Sequence, residues 1–113
     1  MKISVGHTPD SDDAFMFYGM FTDKVPSPDF TVNHVIEDIE NLNLKATNPE
    51  LDVTAVSVHA CAYIPGYTIL RSGGSFGINY GPIVTAKKQM TIEELKKCKI
   101  AIPGKMTSAF LLL

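Results

Sequence analysis

Hydrophobic residues recur along the chain in short runs that alternate between strand-like and helix-like spacing. The run KISVG at residues 2–6 is rich in strand-forming residues and predicts a first strand. Residues 12–21 read DDAFMFYGMF, which predicts a helix capped by the side chain of Asp12 or Asp13. Because this segment is apolar almost all round, we expect the helix to be buried in the core.

The alternation continues through the rest of the chain. Residues 31–37 predict a second strand, and residues 38–48 predict an amphipathic helix that stops at Asn48 and Pro49. Residues 51–58 are apolar on both strand faces, as in a parallel strand covered on both sides. A short helix, two strands, a capped helix, a strand and a last helix follow at residues 59–64, 67–72, 83–88, 91–97, 99–104 and 107–113. Repeated βα units predict an α/β fold with a mainly parallel sheet and helices on both faces.

Composition and charge exclude several classes of protein. The 113 residues are 45% hydrophobic and 19% charged, which is typical of a globular domain. A net charge of −2 argues against a nucleic-acid or anionic-membrane surface. No apolar run approaches the roughly 18 residues of a membrane span, and the first run is too short for a secretory signal. The two cysteines suggest neither a disulfide framework nor a zinc site, so we expect a cytoplasmic protein.

Candidate chemistry lies where the predicted strands end. His7 and His59 stand just past strands one and three, where open α/β sheets place their ligand crevice, whereas His34 lies inside a strand and is predicted to be structural. The acidic loop at residues 10–13 lacks the spacing of a calcium loop, so we predict no metal there. Its carboxylates and the first histidine remain candidates for a crevice wall: His7, Asp12 and Asp13.

Three predicted helices begin directly after strands, and their first-turn N–H groups are unpaired. A helix N-terminus is a ready anion site, and Ser57, Thr107 and Ser108 add hydroxyl groups there. Three such termini at one crevice would suit a small anionic or polyhydroxy ligand. None of these residues is an obvious base or nucleophile, so the pattern by itself indicates binding rather than catalysis.

Five ordered motifs resemble enzymes of the futalosine route to menaquinone: GHTPDSDDAFMFY, VIEDIENLN, LDVTAVS, LRSGGSFGINYGPIV and IAIPGKMTSAFLLL. The resemblance covers essentially the whole chain, and it is closer to the 1,4-dihydroxy-6-naphthoate synthases than to the chorismate dehydratases. It implies a two-lobed fold like that of type II periplasmic binding proteins. Residues 1–88 would then form most of the first lobe and residues 89–113 the beginning of the second.

The resemblance also implies an activity and a site. The family reaction is a lyase-type step that converts cyclic dehypoxanthine futalosine to 1,4-dihydroxy-6-naphthoate without a metal or an organic cofactor. Residue by residue, the family's substrate contacts fall on Ala55, Val56, Ser57, Thr107, Ser108 and Ala109, with Ser108 standing where the family has threonine. The family's general base is a histidine that would lie beyond Leu113.

We therefore read the chain as the N-terminal part of a longer enzyme and expect it to be inactive alone. Two alternatives stay open at this point. A chorismate dehydratase-like enzyme would share the fold and the pathway but take a smaller substrate. A non-catalytic small-anion-binding protein would share the crevice but lack the histidine of the second lobe.

Overall fold

The computed structural model describes every residue from Met1 to Leu113. Its elements are, in order, β1 (Lys2–His7), α1 (Ser11–Phe21), β2 (Thr31–Ile36), α2 (Ile39–Thr47), β3 (Val53–Thr54), a 3-10 turn (Ala60–Tyr63), α3 (Ile92–Leu95) and α4 (Ser108–Leu111). The regular structure is thus concentrated in the first half of the chain. None of the helices has both the length and the apolar character needed to cross a membrane.

The strands form a three-stranded parallel sheet in the order β2-β1-β3, which confirms the predicted parallel pairing. β1 is the central strand; it pairs with β2 along its whole length and with β3 at Val5 and Gly6. Ahead of β3 a side chain extends this pairing, because the Asp52 carboxylate accepts hydrogen bonds from the N–H and hydroxyl of Ser4 at 2.8 and 2.7 Å. Those bonds lower the pKa of the Asp52 carboxyl below its usual range.

The two longest helices cover opposite faces of the sheet. Successive residues of a strand point to opposite faces, and Gly6 and His7 are neighbours in β1. A Cβ at Gly6 would lie 2.9 Å from Leu42 of α2, so the absence of a side chain lets Leu42 pack directly on this face of the strand. The His7 ring stacks on Phe17 of α1 with ring centroids 4.8 Å apart. The predicted α/β arrangement, with a helix on each face of a parallel sheet, is confirmed for this sheet.

Capping side chains mark the starts of three helices, one of which was predicted from its capping-box spacing. Asp38 caps α2 by accepting from the Asn41 N–H at 3.1 Å, and Thr107 caps α4. At α3, Thr91 and Glu94 form the predicted capping box, with each side chain accepting from the other residue's backbone N–H. In these segments the local side-chain chemistry alone determined where the helix begins.

The start of α1 differs from the prediction. The helix begins after Asp10, whose side chain makes no capping bond, and neither Asp12 nor Asp13 caps it. The predicted burial of this helix is also wrong, because Phe15 is 87% exposed and Tyr18 is 51% exposed. Its sheet-facing residues pack on the histidines of β1 and β2, while much of its outer face stays exposed.

The second half of the chain does not form the predicted strands. Residues 67–72, 83–88 and 99–104 are irregular, and the strand predicted at residues 51–58 is reduced to Val53–Thr54. A strand-like pattern becomes a strand only when an adjacent strand accepts its backbone hydrogen bonds, and these segments have no such neighbour. The radius of gyration of 16.8 Å exceeds the roughly 13 Å of a compact domain this size, as expected for an extended second half.

The core lies beneath the loop that follows β3. Ala46, Ala60 and Ile64 are buried together, and the residues packed around them come from three separate segments: Val56, Tyr67 and Met106. The phenolic hydroxyl of Tyr67 donates to the carbonyl of Leu51, a residue that precedes β3 and is not part of the sheet. This cluster therefore anchors both the loop after β3 and the turn before α4.

The exposed apolar surface predicts self-association of the 113-residue chain. Ile69, Phe76 and Ile83 are each more than three quarters exposed, and exposed apolar side chains of this size favour association between molecules. Size-exclusion chromatography with light scattering should show concentration-dependent oligomers or aggregates. The triple variant Ile69→Ser/Phe76→Ser/Ile83→Ser should reduce them, while serine substitutions at exposed Lys87, Lys88 and Lys97 should not. A monodisperse monomer with a cooperative thermal transition would contradict this prediction.

Candidate functional site

Asn43 organises the loop after β3. This residue of α2 is fully buried, its Oδ1 accepts from the Ser57 N–H at 2.8 Å, and its Nδ2 donates to Ser57 Oγ at 3.0 Å. Because Ser57 Oγ already accepts this hydrogen bond, its own hydrogen remains available for donation. Ser57 therefore presents a hydroxyl donor just beyond the end of β3.

The turn before α4 is joined to the same loop through His59. The His59 N–H donates to Ser108 Oγ at 3.3 Å, and the ring Nδ1 lies 3.1 Å from the carbonyl of Thr107. A carbonyl only accepts, so this contact places the imidazole proton on Nδ1. Ser108 resembles Ser57, because its hydroxyl oxygen accepts a hydrogen bond from the protein and its hydroxyl hydrogen remains available for donation to a ligand.

Thr107 differs from the two serines. It is 3% exposed, its hydroxyl donates to the Gly104 carbonyl at 2.8 Å, and the same oxygen accepts from the Phe110 N–H at 3.2 Å. These two bonds hold the turn in shape and cap α4. The sequence interpretation treated the three hydroxyls alike, whereas the structure leaves Ser57 and Ser108 with the free donors.

The Glu40 carboxylate connects the two halves of the site. Both of its oxygens lie 3.2 Å from the Met106 backbone nitrogen, which donates to them, and Oε2 lies 3.5 Å from Asn43 Nδ2. Gly104 has a φ of 155°, and a Cβ at this position would collide with the Glu40 carboxylate. Glycine is therefore required at the turn both for its backbone angle and for the space beside the carboxylate.

Sequence reasoning missed Asn43 and Glu40. The sequence does contain a signal for Asn43. The residue falls at helical spacing between Ile39 and Ala46 on the apolar face of α2, where a polar side chain needs a buried partner. Glu40 carried no comparable sign. A glutamate in the first turn of a helix is explained by the helix dipole alone, and its partner is 66 residues away.

His7 is the buried member of an aromatic cluster. It is 2% exposed, packs on Phe17 and Phe21 of α1, and its ring centroid is 5.5 Å from that of His34. The His34 ring in turn stacks on Phe21 at 3.8 Å, as suits the structural role predicted for it. Burial lowers the pKa of His34 below 6.5, and the charge of a protonated His7 would lower it further. That His7 lines a ligand crevice stays a prediction.

The acidic loop is used within the chain. Asp13 is buried and accepts from the Thr8 N–H at 2.7 Å and the Thr8 hydroxyl at 2.9 Å, which fixes the turn between β1 and α1. Exposed Asp12 accepts from the Ser75 hydroxyl, and this bond lowers the pKa of its carboxyl. No group of three or more histidine, cysteine or carboxylate side chains is placed to hold a metal ion.

The remaining predicted contacts lie within the same two segments. Ala55 donates its N–H to the Gly6 carbonyl at 2.8 Å, and Val56 packs against the core cluster. Ala109 lies in the first turn of α4, partly buried. The structure thus brings the loop at residues 55–57 and the turn at residues 107–109 into one neighbourhood; whether these residues contact a substrate stays a prediction.

The family follows from sequence comparison. A family profile described as menaquinone biosynthesis matches residues 3–113. The chain belongs to this menaquinone biosynthesis family. It is 36% identical over 112 residues to the 1,4-dihydroxy-6-naphthoate synthase of Thermus thermophilus, an alignment that covers 98% of the chain and 40% of that relative. The resemblance carried by the five motifs is confirmed.

A solved structure shows the same relationship. A crystal structure of a protein from Archaeoglobus fulgidus is similar to this family member with a TM-score of 0.73 and 54% sequence identity. The match covers 79% of the chain and 34% of that protein. The chain therefore spans about two fifths of the Thermus relative and about one third of the Archaeoglobus relative.

The contact between His7 and the partly buried His34 predicts loss of stability in mild acid. The folded state binds the His34 proton less tightly than the unfolded chain, so stability is fully present above pH 6.5 and declines as the pH falls below it. Thermal unfolding of dilute protein should show a lower midpoint at about pH 5 than at about pH 7, before most carboxylates titrate. His34→Phe keeps the stacked ring and should flatten this dependence, whereas Asn33→Ala should not. Equal midpoints at the two pH values in the unsubstituted chain would contradict it.

Proposed function

We propose that this protein, at the length of its relatives, is a 1,4-dihydroxy-6-naphthoate synthase, a lyase that acts on cyclic dehypoxanthine futalosine. Membership of the menaquinone biosynthesis family and the identity to the Thermus enzyme support this reading. The observation that carries it is the pair of hydroxyls on Ser57 and Ser108, which come from separate segments and are both held as donors.

Two fixed donors suit a ligand with an anionic or oxygen-rich group. A hydrogen bond to a charged acceptor contributes about 1.5–3 kcal/mol, more than a bond between neutral groups. The role that this geometry supports for Ser57 and Ser108 is to bind and orient such a group on the substrate. Asn43 and His59 donate to the serine oxygens, so they orient the two hydroxyl groups without accepting their hydrogens.

The site also suggests how the chain divides. The proposal assigns residues 1–88 to a first α/β lobe and residues 89–113 to the beginning of a second, in a fold like that of type II periplasmic binding proteins. Ser57 would then belong to one lobe and Ser108 to the other, with the substrate between them. A histidine of the second lobe would act as the base, and the reaction would take place in the cytoplasm without a metal or an organic cofactor.

The hydroxyl assignment predicts a graded set of variants. In the full-length protein, Ser57→Ala and Ser108→Ala should each raise the Michaelis constant by roughly ten- to hundredfold, because each removes one donor to a charged group. Thr107→Ser preserves the capping oxygen and should leave the Michaelis constant nearly unchanged. Steady-state kinetics of naphthoate formation measure all three. If both alanine variants match the unsubstituted enzyme, the site is assigned to the wrong residues.

A second prediction separates an enzyme from a binding protein. The 113-residue chain should show no turnover of cyclic dehypoxanthine futalosine, because its three histidines lie in the segment assigned to the first lobe, whereas the proposed base belongs to the second. A full-length form should produce naphthoate, and substitution of a histidine from the second lobe should abolish turnover but spare binding. Naphthoate production by residues 1–113 would overturn the assignment of the base.

The same assay distinguishes the open alternatives. A full-length form that binds the substrate without turnover would favour a non-catalytic binding protein of the same fold. Turnover of chorismate instead of cyclic dehypoxanthine futalosine would favour the chorismate dehydratase-like reading.

A further inference from the structure

We infer that Glu40 is a positioning residue that sets the turn before α4 in register with the loop after β3. The inference rests on the proposed function, in which Ser57 and Ser108 hold one substrate. Glu40 is not proposed to touch the substrate. It acts through backbone and amide groups that in turn hold the two serines.

The first step of the argument is reach. Glu40 lies in the first turn of α2, three residues before Asn43, so the two side chains share one helix face. From there its carboxylate accepts the Met106 N–H with both oxygens at 3.2 Å. Met106 immediately precedes Thr107, the cap of α4, so its peptide plane sets the direction in which the chain enters the turn.

The second step is the arrangement of acceptors. Oε2 faces the Met106 N–H on one side and the amide Nδ2 of Asn43 on the other, at 3.2 and 3.5 Å. The same Nδ2 donates to Ser57 Oγ at 3.0 Å. One carboxylate therefore contacts the group that orients Ser57 and the backbone that leads to Ser108.

The third step is the space reserved for the carboxylate. Gly104 has a backbone angle that side chains rarely adopt, and any Cβ there would occupy the position of the Glu40 carboxyl group. Glu40 and Gly104 are therefore matched in size. An ordinary surface glutamate would need no glycine opposite its carboxylate.

A simpler role for Glu40 is stabilisation of α2 through the helix dipole, since a negative charge in the first turn is favourable. The two roles make opposite demands on the side chain. A dipole role needs the charge and tolerates a shorter side chain, so Glu40→Asp would preserve it and Glu40→Gln would lose it. A positioning role needs the length and an acceptor oxygen, so Glu40→Gln would preserve much of it and Glu40→Asp would lose it.

The chain offers a matched control. Glu93 occupies the same position of α3 that Glu40 occupies in α2, two residues after the capping residue. It is exposed and pairs with Lys96 at 2.9 Å within its own helix. Glu93→Asp and Glu93→Gln therefore test the charge and length of a first-turn glutamate away from the site.

The test compares these variants in the full-length protein by two readouts. The first is the Michaelis constant and turnover number for cyclic dehypoxanthine futalosine, and the second is hydrogen exchange of the Met106 amide. Glu40→Asp should raise the Michaelis constant roughly tenfold or more with a smaller change in turnover number, and should speed exchange at Met106. The Michaelis constant of Glu40→Gln should stay within roughly threefold of that of the unsubstituted enzyme, because glutamine keeps the length and an acceptor oxygen. Both Glu93 variants should match it.

A double substitution tests the steric match. Gly104→Ala should raise the Michaelis constant as Glu40→Ala does, because the added methyl displaces the carboxylate. The combined variant should be less impaired than the product of the single effects, since removal of the carboxylate frees space for the methyl. Circular dichroism confirms that each variant is folded before its kinetics are compared.

The outcomes separate this inference from the proposed function. If Glu40→Asp behaves like the unsubstituted enzyme and Glu40→Gln does not, the carboxylate acts through its charge and the inference is overturned. If the unsubstituted protein shows no turnover, the proposed function fails by itself. Exchange at Met106 then decides alone: faster exchange in Glu40→Asp supports the link, and equal exchange overturns it.

Discussion

A single buried amide holds together the two segments of the candidate site. Asn43 is completely removed from solvent, and an unpaired buried amide would cost several kcal/mol, so its partners cannot be exchanged freely. Both ends of the amide are matched to Ser57, one to its backbone and one to its hydroxyl. These hydrogen bonds consequently fix the position of the loop after β3 relative to α2, and with it the positions of the neighbouring residues.

The sheet and the core supply the rigid support that this amide needs. Gly6 lets α2 lie close against the central strand through Leu42, which brings Asn43 to the end of β3. Ala46, one turn further along α2, packs in the cluster with the 3-10 turn and Met106, so apolar contacts also hold the turn before α4. The hydrogen bonds of Asn43 and the apolar contacts of the core cluster therefore position the same two segments.

The function that we propose follows from the direction of the hydrogen bonds rather than from any unusual residue. Each of the two serine oxygens accepts from the protein, which leaves its hydrogen for a ligand. Thr107 has the same functional group, but its hydroxyl donates to the Gly104 carbonyl and accepts from the Phe110 N–H, so it has no hydrogen left for a ligand. The chain contributes donors and a shaped turn, and membership of the menaquinone biosynthesis family supports the substrate that we propose for them.

Local patterns in the sequence were enough to predict the elements that depend on neighbouring residues. The helices α2 and α3 are such elements, because their capped starts rest on contacts within a few residues. Strand propensity also predicted β1 and β2, although these strands form only by pairing with each other. The motifs likewise identified the family, and they predict the two segments of the site, because motif residues are visible without a fold.

Tertiary structure alone decided the rest. The predicted strands in the second half needed partner strands, and the burial of α1 needed a covering layer; neither requirement can be seen in a local pattern. The distinction between Thr107 and Ser108 depended on which acceptor lies nearby. The role of Glu40 depended on a backbone N–H 66 residues away and on the absence of a side chain at Gly104. Long-range hydrogen bonds of this kind leave no periodic trace in a sequence, because either partner has an ordinary local explanation.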